Sequence, residues 1–526
     1  GYTAIAKIVD WPEDAKNPIG EITHVLGKQG ENNAEMNAIL ADYGFPLAFP
    51  DEVEKQAESI NEGISKEEIA KRKDFRQVLT FTIDPADAKD FDDAISFQKL
   101  KNGNVEVGIH IADVSHYVKA GSALDKEAFE RGTSVYLVDR VIPMLPERLS
   151  NGLCSLRPNE DKLCFSAVFE LDNDANVIEQ WFGRTIIHSD TRFSYEEAQE
   201  VLENKSGTHS EELLKLNELA YKLRERKFKH GAISFESVEI KFRLDEQGKP
   251  LGVYVKERKD AHKLIEDYML LANKKVAEYI AKKGKGKQKL TFVYRSHDSP
   301  KEDALLSFSQ FASKFGYKID MSSGRETARS LNFLMADVEG KKEQNVLTQL
   351  AIRSMAKAIY TTKKHSHYGL AFDYYTHFTS PIRRYPDVMV HRLLELYLAD
   401  GKSVNEDEYE KMSIHASQME KKAADAERAS VKYKQAEYLQ NNIGEEFSGI
   451  ISGLTEWGMY VEIIANKCEG MIRLRDLNDD FYVLDEKNYC IVGQRRKKKY
   501  QLGDEVKILV KKVDLNKRQI DFTLVK

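Results

Sequence analysis

Cysteine is scarce in this sequence. Of 526 residues only four are cysteine, and they are spread along the chain without a close Cys-x-x-Cys pair. Structural zinc sites and disulfide frameworks both need cysteines at characteristic spacings, so the sequence argues against both. We therefore expect a protein of a reducing compartment, the cytoplasm.

Long apolar runs are also missing. The apolar stretches are short, as at residues 268–272, whereas a helix needs about 20 apolar residues to span a bilayer. The sequence thus predicts no membrane segment. The first residues contain neither a starting methionine nor the apolar core of a signal peptide, and we expect the chain to be a portion of a longer protein.

An excess of positive charge is absent as well. The net charge of −6 is unusual for a protein that binds nucleic acid, because neutralising phosphates normally calls for more lysine and arginine. The charges are clustered, however, with basic residues concentrated at 282–289 and 495–499 and acidic ones at 84–93. Each basic run taken alone is explained equally well by a solvated loop.

The pattern of the chain predicts an α+β protein with several domains. Residues 1–50 begin with alternating apolar residues, which predict strands but too few for a closed barrel, so we expect the tail of a truncated β domain. Residues 51–75 predict a helical linker. Residues 76–442 predict a β-sheet core surrounded by helices, and residues 443–526 predict a small Greek-key barrel of the OB type.

Four stretches have the character of helices. Apolar residues recur at helical spacing over 213–223 and 264–280, which is more typical of a packed core than of a site. Pro386 is favoured at the start of a helix that runs to about Leu398. Residues 406–440 are polar and rich in alanine, and they predict long exposed helices.

The strongest chemical signal is a run of five aspartates within ten residues. Carboxylates this crowded repel one another, and an oxygen-only ligand set suits magnesium or manganese. An EF-hand is excluded, because its glycine at loop position six and glutamate at position twelve are missing. An acidic surface turn is the alternative. We interpret the run as a site for one or two Mg²⁺ ions that assists phosphodiester hydrolysis, with these ligands: Asp84, Asp90, Asp92 and Asp93.

Strands are predicted on both sides of the aspartates, and Asn102-Gly103 predicts a two-residue hairpin turn further on. That turn would pair Asp93 with Ala112 and would bring Asp113 beside the aspartates. Asp113 is then either an accessory carboxylate or, more typically, the cap of a loop near His116.

Two further groups of residues suit RNA. Arg383 and Arg384 precede the helix at Pro386, where a guanidinium can bind phosphate and the helix N-terminus adds positive charge. Structural ion pairing, for example with Glu427, explains these arginines equally well. The rings of Tyr136 and Phe235 can stack on bases, although a single aromatic residue is more often part of a core.

Seven segments of the sequence resemble the catalytic domain of the ribonuclease II superfamily, also called the RNB domain, and they are most similar to its bacterial ribonuclease R branch. Residues 444–526 resemble an S1-type RNA-binding OB fold, and residues 1–50 resemble the end of a cold-shock-like domain. The segments are 82–94, 110–117, 131–136, 141–146, 153–156, 261–266 and 379–387.

This resemblance implies a processive 3′-to-5′ exoribonuclease that uses Mg²⁺ and releases nucleoside 5′-monophosphates. It implies that the four aspartates are the metal ligands, with Asp92 the most damaging to lose and with Asp90 and Arg383 beside it in catalysis. The remaining implied residues clamp or line the RNA: Tyr136, Phe235, Glu266, Arg383 and Glu427.

The partner implied is RNA with a free 3′ end, and we expect a monomer. Two alternatives stay open: a ribonuclease II type that is blocked by duplexes, and a non-catalytic RNA-binding scaffold of the same fold. Members of the family usually carry two cold-shock-like domains ahead of the catalytic one, so substrate capture by this chain is open as well.

Overall fold

The computed structural model describes residues 1–234, 239–284, 289–341 and 343–525. Helices and sheets are mixed, and a small closed barrel lies near the C-terminus, which confirms the predicted α+β class. Among the helices in this part of the chain, none has the length and apolar character that a membrane crossing requires.

The N-terminal region contains an antiparallel hairpin with largely exposed side chains. The segment after it contributes to the body of the protein, since Val53 and Ala57 on a helix, and Phe75 just beyond a short strand, lie in its main hydrophobic core. The elements of this region are β1 (Tyr2–Asp10), β2 (Ile19–Lys28), α1 (Asn32–Asp42), α2 (Asp51–Ser59) and α3 (Lys66–Ala70).

A seven-stranded sheet forms the centre of the molecule. Its elements and those between them are β3 (Lys73–Asp74), β4 (Thr80–Asp84), β5 (Asp93–Lys99), β6 (Val105–Ala112), α4 (Val114–Tyr117), α5 (Ala123–Arg131), β7 (Val135–Tyr136), β8 (Val141–Ile142), β9 (Asp161–Leu171), β10 (Val177–His188) and β11 (Thr191–Ser194). The strand order is β11-β4-β5-β6-β9-β10-β3, and β7 pairs with β8 in a separate small sheet. Strands β4, β5 and β6 are antiparallel neighbours, as their sequence suggested.

The predicted register between β5 and β6 is wrong by one residue. Asp93 pairs with Ile111 rather than with Ala112. The turn contains three residues, 101–103. The N–H of Leu100 before it donates to the carbonyl of Asn104 after it. Gly103 has φ +87°, which suits the left-handed position that closes a three-residue hairpin loop.

Helices then cover the sheet. The stripe predicted over 213–223 is core, since Leu213, Leu216 and Leu219 are fully buried. The elements are α6 (Tyr195–Asn204), α7 (Ser210–Lys229), β12 (Glu239–Leu244), β13 (Pro250–Lys256), α8 (Asp260–Lys283), β14 (Tyr294–Ser296), α9 (Glu302–Ser313), α10 (Gly324–Asp337), α11 (Gln344–Ser354), β15 (Ile359–Thr361), α12 (Tyr385–Leu398) and α13 (Glu406–Gln440).

Helix α13 has the predicted limits, but the prediction that it is exposed is wrong. Met419 and the alanines at 423, 426 and 429 pack against α1 and β7 in a separate hydrophobic core. Lys434 on this helix is fully buried, and its ammonium donates to the side chain of Asn32 and to the carbonyl of Gly248 at 2.6 Å each. The many charged residues of this helix suggested exposure. Its small alanine side chains, however, allow α1 and β7 to pack closely against it.

The C-terminal region forms the predicted five-stranded closed barrel, with an additional small sheet beside it. The barrel order is β16-β17-β18-β23-β22, and the additional sheet is β19-β20-β21. The strands are β16 (Glu446–Leu454), β17 (Gly458–Ile463), β18 (Glu469–Arg473), β19 (Tyr482–Asp485), β20 (Cys490–Gly493), β21 (Lys499–Gln501), β22 (Glu505–Asp514) and β23 (Gln519–Leu524).

Candidate active site

The aspartate run, residues 84–93, forms a loop at one edge of the central sheet, and we call it the acidic loop. Asp84 is the last residue of β4 and Asp93 is the first residue of β5. Because these strands are antiparallel neighbours, the end of one and the start of the next lie at the same edge. Asp90 and Asp92 belong to the connection between them, so the fold gathers the acidic side chains.

The backbone of the acidic loop is held by two residues from other parts of the chain. The hydroxyl of Ser155 accepts the N–H of Phe91 at 3.0 Å and donates to the carbonyl of Lys89 at 2.7 Å. Arg192 donates to the carbonyls of residues 85–86 at 2.8 and 2.7 Å. These bonds fix the loop without using the carboxylates, which stay free for other partners.

The acidic side chains are poorly solvated and shift one another's protonation. Burial raises the pKa of Asp84 to about 7, and the charges of Asp92 and Asp90 add to the effect. Burial and the neighbouring Asp84 raise the pKa of Asp93 to about 8. Burial also raises the pKa of Asp90, and that of Asp92 lies well above its usual range. Shifts in this direction are typical of buried carboxylates that share a site, and here burial outweighs the opposing charge of Arg383.

A divalent cation fits this set of donors. All four side chains offer only oxygen, and Oδ2 of Asp84 is buried without a hydrogen-bond partner, which is the kind of ligand that Mg²⁺ prefers. Across the described ranges, no group of three or more His, Cys, Asp or Glu side chains is arranged so that it could hold a metal ion. Mutual repulsion opposes such an arrangement, and a cation is what would draw the carboxylates together.

The segment before α12 reaches the acidic loop directly. The N–H of Ile382 donates to Oδ1 of Asp92 at 2.9 Å, and Nε of Arg383 lies 3.7 Å from Oδ2 of the same carboxylate. The side chain of Arg383 is 40% exposed, so its guanidinium can also contact a ligand. The structure therefore brings together two groups of residues that are nearly three hundred positions apart.

Arg384 has a different environment from Arg383. Its guanidinium forms a two-pronged ion pair with Asp387 at 2.7 and 2.9 Å. Asp387 also accepts the N–H of Ser380 at 2.8 Å. Arg384 is thus a structural donor, as one of the two interpretations of these arginines held, although its partner is Asp387 and not Glu427.

Hydrogen bonds connect Tyr136 and Glu427 to the segment that carries Arg383. The N–H of Ser134 donates to the carbonyl of Arg383 at 3.0 Å, and the N–H of Tyr136 donates to Oε1 of Glu427 at 3.1 Å. The side chain of Tyr136 is 39% exposed. A ring that is half free at this position can stack on a base.

A glycine allows β7 to lie this close to α13. Gly132 ends α5 with φ +68°, and a Cβ at this position would lie 2.7 Å from Cβ of Met419 on α13. No larger residue fits without moving the helix. The approach of Tyr136 to Glu427 depends on this packing, because Gly132 is only four residues before Tyr136.

One predicted site residue, Glu266, is not brought to the aspartates by any contact within the described residues. The carboxylate of Glu266 on α8 pairs with Arg258 at 2.7 Å and is 40% exposed. No hydrogen bond or ion pair within the described ranges joins it to the acidic loop. Phe235 lies outside the described residues.

Asp113 is a structural cap rather than an accessory carboxylate. The predicted pairing of Asp92 with Asp113 fails with the one-residue shift of register. Asp113 accepts the N–H of His116 at 3.1 Å at the start of α4, and its other oxygen pairs with Arg72 at 2.8 Å and Arg184 at 3.2 Å. Of the two interpretations of this residue, the loop cap is confirmed.

The sequence reasoning missed Tyr195. It follows Ser194, the last residue of β11, which pairs with Asp84. Its ring stacks on that of His262 with centroids 4.0 Å apart. Burial raises the pKa of Tyr195, followed by the charges of Asp93 and Asp84. The sequence did contain a signal for the start of a helix at this position. Ser194 forms a capping box with the glutamate three residues later, and this pattern marks a helix N-terminus.

The chain matches three family models. The RNB domain model matches residues 72–400, the Cold shock domain model matches residues 1–50, and the S1 RNA binding domain model matches residues 440–524.

Curated relatives and a solved structure resemble the chain over nearly its whole length. It is 39% identical to ribonuclease R 1 of Lactococcus lactis over 96% of this chain and 62% of the relative. It is 40% identical to ribonuclease R of Thermotoga maritima over 99% of this chain and 74% of the relative.

The structural comparison gives the same result. RNase R of Mycoplasma genitalium, solved with ribose-methylated single-stranded RNA, superposes with a TM-score of 0.93 at 27% identity, covering 100% of this chain and 83% of that one. The same protein solved with double-stranded RNA gives a TM-score of 0.87. Since the RNB model matches more than half of the sequence and ribonuclease R proteins match nearly all of it, the chain belongs to the ribonuclease R family of RNB-domain exoribonucleases.

Proposed function

We propose that this chain degrades RNA processively from the 3′ end and releases nucleoside 5′-monophosphates. The observation that carries the proposal is the acidic loop, where Asp84, Asp90, Asp92 and Asp93 lie at one sheet edge with raised pKa values. Arg383 reaches the same point from another segment. A scaffold that only bound RNA would gain nothing from keeping repelling carboxylates together, so this arrangement favours an enzyme.

Each residue of the site has a role in this proposal. Mg²⁺, or Mn²⁺ in its place, is held as one ion or two by the four aspartates, and when bound it activates water and stabilises charge on the phosphate. Arg383 holds the scissile phosphate, because its guanidinium is half exposed beside Asp92. The N–H of Ile382 keeps the carboxylate of Asp92 oriented.

The RNA strand is held mainly by stacking and by contacts to its backbone. Tyr136 and Phe235 clamp the terminal bases, while Glu266 and Glu427 line the path. Rings stack on every base and backbone contacts carry no sequence information, so the enzyme accepts RNA of any sequence. The RNA 2′-hydroxyl supplies the selection against DNA.

The substrates include structured RNA with a single-stranded 3′ overhang. The relative from Mycoplasma genitalium has been solved with both single-stranded and double-stranded RNA, which supports this choice over a ribonuclease II type that is blocked by duplexes. The chain spans 62% of the length of the Lactococcus protein, so duplex entry is proposed for the catalytic body with its S1-type barrel.

The proposal also covers the cellular compartment, the oligomeric state and the domain limits of the enzyme. All four cysteines are free and buried, which supports a reducing compartment such as the cytoplasm, and the enzyme acts there as a monomer. The domain limits stay as predicted from the sequence: a partial cold-shock-like domain over 1–50, a linker over 51–75, the RNB domain over 76–442 and the C-terminal OB fold over 443–526.

The test is digestion of an RNA duplex whose 3′-overhanging strand is labelled along its whole length, with Mg²⁺ and with EDTA. We expect mononucleotides from both the overhang and the duplex in Mg²⁺, and none in EDTA. A product that stops at the duplex edge would support the ribonuclease II alternative. Binding without any cleavage in Mg²⁺ would support the scaffold and overturn the proposal.

A further inference from the structure

Helix α13 carries a buried cation that the proposed chemistry does not use. The side chain of Lys434 is fully buried, and burying a charge is costly unless it is paired and hydrogen-bonded. An ammonium has three hydrogens to donate, and this one has three acceptors: Glu437 on the same helix at 2.7 Å, and Asn32 and the carbonyl of Gly248 at 2.6 Å each. Two of the three acceptors belong to distant segments, so this lysine joins parts of the chain.

The first of these connections leads to the β7–β8 hairpin, which carries Tyr136. Asn32 accepts the bond from Lys434 through Oδ1 and donates through Nδ2 to Oδ2 of Asp139 at 2.6 Å. Asp139 lies in the turn of this hairpin, because β7 ends at Tyr136 and β8 begins at Val141. Lys434 therefore holds the turn of the hairpin through a single amide side chain.

The charge of Asp139 suits this contact. Burial by itself would raise the pKa of this carboxyl, but hydrogen bonds from Arg140 and Asn32 and the charge of Lys434 lower it. A carboxylate can only accept hydrogen bonds and an ammonium can only donate them, so the two charges fix the orientation of the Asn32 amide between them. The side chain of Asp139 is only 8% exposed, and water therefore competes little for these bonds.

The same hairpin is attached to α13 at a second point. The N–H of Tyr136 donates to Oε1 of Glu427 at 3.1 Å, and Lys434 follows Glu427 by seven residues. Residues seven apart lie on one face of an α-helix. Glu427 thus holds the strand and Lys434 holds the turn, and these two attachments together orient the segment that carries the ring of Tyr136.

The second connection leads to the β12–β13 hairpin. Gly248 lies in its turn, where it has φ +77° and where a Cβ would lie 2.5 Å from Nδ2 of Asn32, so glycine allows this turn to come so close. Burial raises the pKa of Glu427, and the charge of Lys241 on β12 opposes that rise. Both hairpins therefore approach α13 near the same two residues, Glu427 and Lys434.

We propose that Lys434 is a positioning residue for the end of the RNA, which ties the turns of both hairpins to α13 and so sets the place of the Tyr136 ring. The inference rests on the proposed function, in which that ring stacks on a terminal base. Lys434 acts through Asn32 and Asp139, since its own side chain is fully buried. Loss of this link lets the β7–β8 hairpin move and displaces the ring from the base.

The experiment digests a 5′-labelled single-stranded RNA in Mg²⁺ and measures the length of the terminal fragment together with kcat and KM. The main variant is Asn32→Ala, because Asn32 is partly exposed and its loss leaves Lys434 with two acceptors. We expect a longer fragment than the wild-type chain leaves, and a KM raised about 5-fold, the lower limit for the loss of one stacked base. The value of kcat should stay close to that of the wild type, since the acidic loop is untouched.

A matched control removes an asparagine of similar bonding elsewhere in the fold. Asn173 also accepts a lysine, Lys215, at 3.1 Å, and it lies in the turn between β9 and β10. Asn173→Ala should leave the wild-type fragment and the wild-type KM.

Two further variants test whether the effect begins at Lys434 and passes through Tyr136. Lys434→Met removes the ammonium while nearly preserving its volume, and it should lengthen the fragment as Asn32→Ala does. Asn32→Ala combined with Tyr136→Ala should leave the same fragment as Tyr136→Ala alone, because a positioning residue contributes nothing once the positioned ring is absent. Thermal unfolding verifies that each variant is folded at the assay temperature, and Asn32→Ala carries the test if Lys434→Met is not.

A wild-type fragment and a wild-type KM for Asn32→Ala would overturn the inference. An equal change in Asn173→Ala would overturn it too, as would a double variant whose fragment exceeds that of Tyr136→Ala. The proposed function fails by a different result, the absence of mononucleotides from the wild-type chain in Mg²⁺. Normal degradation by the wild-type chain, together with no effect of Asn32→Ala, contradicts the positioning role alone.

Discussion

The acidic loop and residues 495–499, which we call the basic turn, each hold five like charges within at most ten residues, yet the fold surrounds them differently. Asp92 is only 5% exposed, and burial raises the pKa of all four aspartates of the proposed metal site. The basic turn is exposed, and water solvates its charges. Charges in low dielectric interact strongly and need partners, whereas solvated charges act through screened, longer-range attraction. The first environment suits chemistry and the second suits capture of a polyanion.

The largest expected effect concerns the acidic loop, the more buried of the two charged segments. Asp92→Asn should lower the turnover of RNA on the order of 10³-fold, since several kcal/mol of charge stabilisation are removed. RNA binding should be retained. Asp87→Asn is the matched control, because Asp87 is exposed in the same loop. Single-turnover kinetics measures both, and near wild-type turnover by Asp92→Asn would disprove the assignment of the metal ligands.

Neighbouring arginines give the next test. Arg384→Ala leaves Asp387 as an unpaired buried charge, which should cost about 3–5 kcal/mol in the free energy of unfolding. Arg383→Ala should change that free energy little, because this side chain is 40% exposed, and should weaken catalysis instead. Urea unfolding and RNA degradation are measured for both variants. If the two changes lowered the free energy of unfolding equally, the assignment of a structural role to Arg384 and a catalytic role to Arg383 would be contradicted.

Removal of the ring at Tyr136 is expected to have a moderate effect. Tyr136→Ala should release the RNA end earlier and leave a longer terminal fragment, since stacking contributes about 1–3 kcal/mol per base. Gel analysis of the end product measures the length. Tyr221→Ala is the control, because that tyrosine is 56% exposed and lies on α7, in another part of the fold. An unchanged fragment would remove Tyr136 from the clamp.

The smallest expected effect concerns pH and magnesium. The folded-state pKa values of Asp84 and Asp93, about 7 and about 8, exceed the ordinary aspartate value of 3.8. Their contribution to stability in the metal-free protein is therefore present below about pH 4 and is lost as the pH rises through these values. A cation offsets the loss, so the stabilisation by Mg²⁺ should increase from about pH 6 to about pH 9, by on the order of 1 kcal/mol.

Thermal unfolding with and without Mg²⁺ at the two pH values measures this increase. Asp93→Asn should reduce the pH dependence, because it removes one of the two groups that titrate in this range. A stabilisation by Mg²⁺ that is independent of pH would indicate that the ion binds elsewhere.

Much of the fold could be predicted from local patterns. The limits of α13 and the five strands of the barrel were predicted because capping, apolar periodicity and turn residues are encoded within each segment. The register of β5 and β6 was not, because Asn102-Gly103 is compatible with two loop lengths. Tyr195 was missed because its proximity to Asp84 depends on the pairing of β11 with β4.

The sequence by itself determined which charged groups the protein has, since the run of aspartates, the adjacent arginines and the basic turn are all visible in it. Tertiary structure decided how each group is used. It buried Arg384 with Asp387 and left Arg383 beside Asp92, and it enclosed the aspartates while exposing the basic turn. The reason is that charge is a property of the residue, whereas solvation depends on what the rest of the chain packs around it.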